Sequence, residues 1–250
     1  MTDRTQWPGD APPQVVILSG AGLSADSGIP TFRGAGGMWE NHSVNQVANY
    51  LTWKQNFELV HRFYNERRAR LEAIRPNDAH RMIASLQASL PTHILTQNID
   101  DILEKAGCTD VIHLHGRAGD LRCEACGHQW SIGYGAWDPL ADRCPRCPSR
   151  KGVKPGVVFF HEPAPRYADM HRIFRSLRAR DVLVVIGTSG LVIDVNAFVF
   201  DCPARKILNN LEASDHINAG YFDHVFYAGA AAAAPHVERL VRQLAGQPMA

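Results

Sequence analysis

The sequence predicts an α/β fold, a doubly wound parallel sheet with a smaller module inserted into it. Three observations carry that prediction. Short β-branched runs recur along the chain, several of them apolar throughout, as strands covered on both faces are. Segments of helical periodicity lie between most of these runs, the alternation that builds βαβ units. Two stretches, residues 38–75 and 122–154, break the alternation and belong outside the sheet. A chain of 250 residues has room for one large domain with such an insertion.

Residues 1–13, MTDRTQWPGDAPP, have no apolar core and read as a flexible tail rather than a signal or anchor. The first run, VVILS, leads into Gly20-Ala21-Gly22-Leu23-Ser24-Ala25, a G-x-G-x-x-[G/A] turn of the Rossmann type. In that reading Gly20 permits the tight turn, Gly22 admits a pyrophosphate close to the backbone, and Ala25 lets the helix pack on the strand. Amides at the helix start would face the phosphates. Taken alone, the pattern fits an ordinary tight turn equally well. A nicotinamide-dependent oxidoreductase would next show a strand ending in Asp or Glu about 20 residues on. Here the chain runs through SGIPTFRGAGGMWE, and no strand leads to Glu40. That loop is expected to cover the nicotinamide end, which favours chemistry other than reversible hydride exchange.

Further strands are expected at residues 93–96, 111–114, 157–160, 182–186, 206–208 and 224–227, and helices at 77–90, 166–178 and 235–244. Residues 38–75 read as helical with no strand, and 122–154 as loop-like, rich in Cys, Gly and Pro. The large domain is therefore drawn over residues 14–37, 76–120 and 155–250, and the small module over 38–75 and 121–154. A cleft between them is the natural ligand site.

Cys123-x2-Cys126 and Cys144-x2-Cys147, separated by 17 residues, have the spacing of a four-thiolate zinc site. Four sulfur ligands close the tetrahedron, so the ion organises the module rather than activating water. Two disulfides or four unconnected thiols are the weaker alternatives in a chain expected to be intracellular. Cys108 and Cys202 read as incidental thiols. The small module is thus helical plus zinc ribbon.

Polar residues gather where strands end. Gln97, Asn98 and Asp100 follow one strand, His115 another, Gly187-Thr188-Ser189 a third and Asn210-Leu211-Glu212 a fourth. Each has a structural reading, as turn former, helix cap or buried histidine. Against it stands the ligand-binding rim of a parallel sheet, with a histidine whose ordinary pKa suits a general base. Convergence on one edge favours the rim.

A net charge of +1 gives no general reason to bind nucleic acid or an anionic membrane. The most apolar region, residues 182–200, is interrupted by Gly187, Thr188, Ser189, Gly190 and Asp194, well short of a membrane span. A cytoplasmic monomer is expected.

In this order, GAGLSADSGIPTFRG, TQNID, HLHG, the paired Cys-x-x-Cys, VVFFHE, GTS and NLE resemble the sirtuin family of NAD-dependent protein lysine deacylases, over residues 15–240. The resemblance implies that NAD is consumed, that one zinc is structural, and that acyl-lysine proteins or peptides are the partners. Products would be nicotinamide, free lysine and O-acyl-ADP-ribose. It implies catalytic roles for His115, as general base, and Asn98. Gly20, Ala21, Gly22, Ser24 and Ala25 would cradle phosphates, with Thr31, Phe32 and Arg33 on a loop over the reacting ribose. Gln97, Asn98, Ile99 and Asp100 would hold ribose and carboxamide. Gly187, Thr188, Ser189, Asn210, Leu211, Glu212 and Ala231 would lie on the adenosine side, and Val158, Phe159 and Phe160 would pair with the substrate as an added strand. Three departures stand out: His161 where the family usually has Gly, Asp194 for a usual Pro, and an AGAAAAAP segment one residue short.

Tyr64 and Arg67 stand three apart, on one helix face, with small Ala48 upstream. An amphipathic surface helix would explain them. The Y-x-x-R pattern also resembles the subclass that removes succinyl, malonyl and glutaryl groups, where Arg67 would clamp the acyl carboxylate and Tyr64 hydrogen-bond it. Three rivals remain in view: a deacetylase or mono-ADP-ribosyltransferase of the same fold, an oxidoreductase, and a zinc-ribbon binding module.

Overall fold

The computed structural model of the protein describes residues 12–31, 38–39 and 42–247. In chain order its elements begin with β1 (Val15–Ser19), α1 (Gly22–Ala25), β2 (Met38–Trp39), β3 (His42–Ser43), α2 (Val44–Val47), α3 (Phe57–Ala73) and α4 (Asp78–Ser89). Next come β4 (Thr92–Thr96), α5 (Ile102–Lys105), β5 (Ile112–His113), β6 (Gly116–Cys123), β7 (Gln129–Ser131) and β8 (Val153–Val157). The chain continues with α6 (Tyr167–Ser176), β9 (Val182–Ile186), α7 (Asn196–Val199), β10 (Arg205–Asn210), β11 (His224–Tyr227) and α8 (Ala230–Leu244).

Six strands make one parallel sheet in the order β11-β10-β9-β1-β4-β5. β1 lies inside it, with Ser19 level with Thr96 on one side and Ile186 on the other. All five residues of β1 and of β9 are buried, because each face of the sheet carries helices. Val15 and Ile17 pack with Ile83 and Leu86 of α4 and Val237 and Val241 of α8. Val16 and Leu18 point the other way, to Met170, Ile173 and Phe174 of α6. Each such side chain contributes roughly 1.5–3 kcal/mol relative to exposure. Parallel strands end together, so the C-terminal ends of β1, β4, β9 and β10 share one edge. The doubly wound sheet is as the sequence predicts.

Four expectations need correction. The region expected to be loop-like, 122–154, contributes to an antiparallel sheet in the order β7-β6-β8. The run at 157–160 is not a strand of the parallel sheet: the strand lies earlier, at β8, and pairs antiparallel with β6, while Phe160 forms only an isolated bridge to Asn49. Finally, α8 starts at Ala230, not at Pro235. The alanines are strong helix formers, and the Asp26 carboxylate accepts from the Ala231 amide at 2.9 Å, supplying the partner a helix start lacks. The stretch expected to hold no strand also contains the two-residue pair β2 and β3.

The antiparallel sheet joins α3 around Val47, Trp53, Val60, Tyr64, Val157 and Phe159. Arg68, one of the arginines of the Y-x-x-R helix, is fully buried and donates from Nε to Gly135 O at 2.8 Å and from Nη1 to Ala118 O at 3.1 Å. This helix is therefore a docked element rather than a surface one. Gly116, φ +76°, starts β6; a Cβ there would lie 2.0 Å from Gly156 O, so only glycine lets β6 and β8 meet directly after His115.

Candidate active site

At the end of β1 the chain turns through Gly20 and Gly22 against Gly187 at the end of β9. A Cβ on Gly20 would stand 2.7 Å from Gly187 O, and one on Gly22 2.7 Å from Gly187 Cα. The Gly22 amide donates to Gly187 O at 2.8 Å, and those of Leu23 and Ser24 to Gly20 O and Ala21 O. Glycine is thus required by the meeting of two turns. These three amides of the helix start bond within the protein.

Side chains instead carry the polar surface. Ser24 Oγ donates to Asp100 Oδ2 at 3.1 Å and accepts from Asn98 Nδ2 at 3.2 Å. His80 Nε2 lies 3.3 Å from the same oxygen. Because His80 Nδ1 accepts from the Asn77 amide in the capping box of α4, its proton sits on Nε2 and is donated to Ser24. Burial lowers the His80 pKa to about 4, so the ring is neutral. Burial raises that of Asp100, against the bonds from Ile102 N and Ser24. His80 carries no local sequence signal: its partner Ser24 is 56 residues away, and its own spacing reads only as helix.

Gln97 ties strand ends together: its amide donates to Ser19 O at 2.9 Å and its Nε2 to Thr188 Oγ1 at 3.0 Å. Asn210 clamps the β9 turn by donating to Thr188 O and accepting from Thr188 N. His115 is tethered at both nitrogens. Nδ1 is 2.9 Å from Gln97 O, and a carbonyl only accepts, so the proton is on Nδ1. Nε2 therefore holds the lone pair and accepts from Tyr167 Oη at 2.8 Å. Burial lowers its pKa, which favours the neutral ring with a free electron pair at Nε2.

The four zinc-spaced cysteines converge. Their Sγ atoms all lie within 4.8 Å of one another, with Cys123 and Cys147, and Cys126 and Cys144, each 3.6 Å apart. No disulfide links them. A tetrahedron with Zn–S of about 2.3 Å places sulfurs about 3.8 Å apart, so the residues fit one closed, structural zinc. His113, near in sequence, is engaged elsewhere, with Asn98 O and Glu104 Oε1 at 2.9 Å each.

The Sir2 family model matches residues 20–194. The chain belongs to the Sir2 family, the sirtuins. An NAD-dependent protein deacylase of Helicobacter hepaticus is 42% identical over 253 residues, covering 92% of this chain and 98% of its own. Among solved structures, a Sir2 homologue with ADP-ribose superposes with TM-score 0.81 at 30% identity over 95% of each chain. A Sir2 homologue with NAD gives 0.79 at 31%, over 93% of this chain and 90% of its own.

In this sirtuin the remaining expected positions divide. Phe32 and Arg33 lie outside the described residues, and Thr31 ends the segment before them. Ala25, Ser189, Leu211 and Glu212 are exposed beside the buried Ser24, Thr188 and Asn210. Ile99 is half-buried and accepts from Ala118 N through its carbonyl. Ala231 sits in the first turn of α8, bonded to Asp26 rather than in a loop.

On the substrate side, Tyr64 is buried and stacks on Phe159, ring centroids 5.9 Å apart, and shares a cluster with Ala48. The Arg67 guanidinium lies 5.2 Å from the Phe63 ring. Burial pushes the Tyr64 hydroxyl well above its ordinary pKa, with Arg67 opposing. The amides of Val158, Phe159 and Phe160 all bond within the protein, to His115 O, Glu162 Oε2 and Ala48 O. Among the described residues, the Val158 carbonyl and the His161 amide have no such partner, and His161 is held at φ +66°.

Behind this segment lies a second network that the sequence did not reveal. The side chains of Lys154 and Glu162, 1% and 2% exposed, pair at 3.0 Å. Lys154 Nζ also donates to Val157 O at 2.7 Å, and Arg122 bridges Glu162 to Glu124. It pins both ends of residues 157–162.

Proposed function

We propose that this sirtuin removes acyl groups from protein lysines while consuming NAD, with preference for acyl chains that end in a carboxylate. The observation that carries the chemistry is His115: a neutral imidazole after β5, fixed in the Nδ1–H form by Gln97 O, the residue next to Asn98, with its Nε2 lone pair turned to the Tyr167 hydroxyl. Bound NAD supplies a ribose carbon from which nicotinamide can leave. Asn98 Nδ2 is held by Ser24, which leaves Oδ1 to accept from a ribose hydroxyl or the carboxamide. Each Asp100 oxygen already accepts one bond and retains a second lone pair. Thr188 and Asn210 line the adenosine side, and His115 Nε2 accepts the proton of a sugar hydroxyl as that oxygen attacks. In this scheme the zinc holds the module together, and the module takes in the whole of β6 and β8 rather than beginning at residue 121 and ending at 154.

The acyl preference rests on Tyr64 and Arg67. Tyr64, Ala48 and Phe159 share one apolar cluster next to the His115-bonded Val158, and the arginine charge reaches the phenol. A carboxylate there would gain a charge-assisted bond of about 1.5–3 kcal/mol that an acetyl methyl cannot. A peptide strand would be held through Val158 C=O and His161 N–H. The test is one peptide carrying acetyl, succinyl, malonyl or glutaryl lysine, assayed with NAD by mass spectrometry. Arg67→Met is expected to lower desuccinylation about 10- to 100-fold more than deacetylation; equal losses would remove the clamp.

A further inference from the structure

We propose that Tyr167 is a positioning residue that caps the base: in the free protein its hydroxyl occupies the one lone pair of His115, and a substrate hydroxyl must take its place.

The imidazole has two nitrogens and both are committed. Nδ1–H is held by Gln97 O, so Nε2 is the single site where a proton can be accepted, and Tyr167 Oη fills it at 2.8 Å. A lone pair accepts one good hydrogen bond at a time. The contact is built by distant parts of the chain, 52 residues apart. His115 follows β5, whereas Tyr167 opens α6, directly after the turn in which its amide donates to Ala164 O at 3.1 Å. One and two turns further on, Met170 and Phe174 are buried against the sheet, so the helix fixes where the phenol begins. The ring itself is half-buried, its centroid 5.9 Å from the imidazole and tilted by 48°. It has solvent on one side into which it can withdraw.

The cap has a chemical consequence. An uncovered Nε2 beside bound NAD could take a proton from water as readily as from a sugar, and water attack at the ribose carbon would release nicotinamide with no acyl transfer. In that side reaction the C–N bond to nicotinamide breaks, a C–O bond to water forms, and the water proton passes to His115. With Tyr167 in place the base is exposed only when a bound hydroxyl competes for it. That part rests on the deacylase reading; the cap itself rests on the two hydrogen bonds alone.

Carbethoxylation of His115 by diethyl pyrocarbonate, followed by mass spectrometry on the full chain without NAD or peptide, reads the availability of Nε2 directly. Tyr167→Phe is expected to raise the rate at His115 about fivefold, the loss of one neutral hydrogen bond, with Tyr167→Met as a second variant should the first fold poorly. An unchanged rate in a folded variant overturns the cap. In steady state, Tyr167→Phe is expected to lower KM for NAD with kcat kept, and to raise nicotinamide release in the absence of acyl peptide. A fall in kcat with KM unchanged would mean that the hydroxyl relays the proton instead, which also overturns the cap. Absence of deacylation by the unaltered protein would refute the functional reading and leave the carbethoxylation result standing.

Discussion

Two polar networks flank the candidate site, and they are built on different principles. Along the strand ends, Ser24, Asn98, His80 and Asp100 are joined by hydrogen bonds in which the histidine is neutral and the Asp100 pKa is raised. Under the substrate segment, Lys154, Glu162, Arg122 and Glu124 are joined as full ion pairs. The first leaves lone pairs at Asn98 and Asp100 to offer a ligand. The second saturates its charges on one another and on the backbone. Weakly polarised groups with spare valence suit binding and proton transfer, whereas saturated ion pairs suit holding a segment in place.

The contrast is sharpest at His115. His115→Ala is expected to lower kcat by about 10²–10⁴ on every acyl peptide, the range of a general base, while unfolding in urea changes little; nicotinamide release and a denaturation curve check both halves. A stability loss as large as the catalytic one would erase the distinction between the networks.

Glu162→Ala should do the reverse. It strands the buried Lys154 charge, and breaking such a pair destabilises by about 3–5 kcal/mol. Glu162→Gln, which retains a carbonyl acceptor for Phe159 N, should destabilise less. The measurement is the urea midpoint of each variant; Glu162→Ala at the unaltered midpoint would mean that the pair holds nothing.

The third effect is in pH. Burial lowers His80 to about 4, and His61 in α3 likewise. The unfolded chain therefore protonates these rings first as pH falls below about 6.5, and stability drops from there down to about 4. Each ring contributes about 1.4 kcal/mol per pH unit within that window. His80→Gln should leave only the slope due to His61, read from unfolding free energies between pH 6.5 and 4. An undiminished slope would show that His80 is not neutral in its network.

The sequence was informative where one local pattern decides the outcome. Apolar runs such as VVILS mark strands covered on both faces, and the two Cys-x-x-Cys knuckles mark the thiolate cluster. It was silent where partners are far apart. β6, GRAGDLRC, mixes glycine and arginine with only three buried positions and reads as loop until β8 covers it. Pro235 looked like a helix start, the usual place for proline, because the alanines before it have no period of their own. Tyr167, Lys154 and Glu162 gain meaning only from contacts across the chain.

The interlock of Gly20, Gly22 and Gly187 carries an evolutionary consequence. Two loops from opposite halves of the gene touch so closely that not even a methyl fits between them, and each is already the smallest residue available. No second-site change at these positions can make room for a larger one, so neutral drift is closed here from both sides. The three codons are bound to a shared fate.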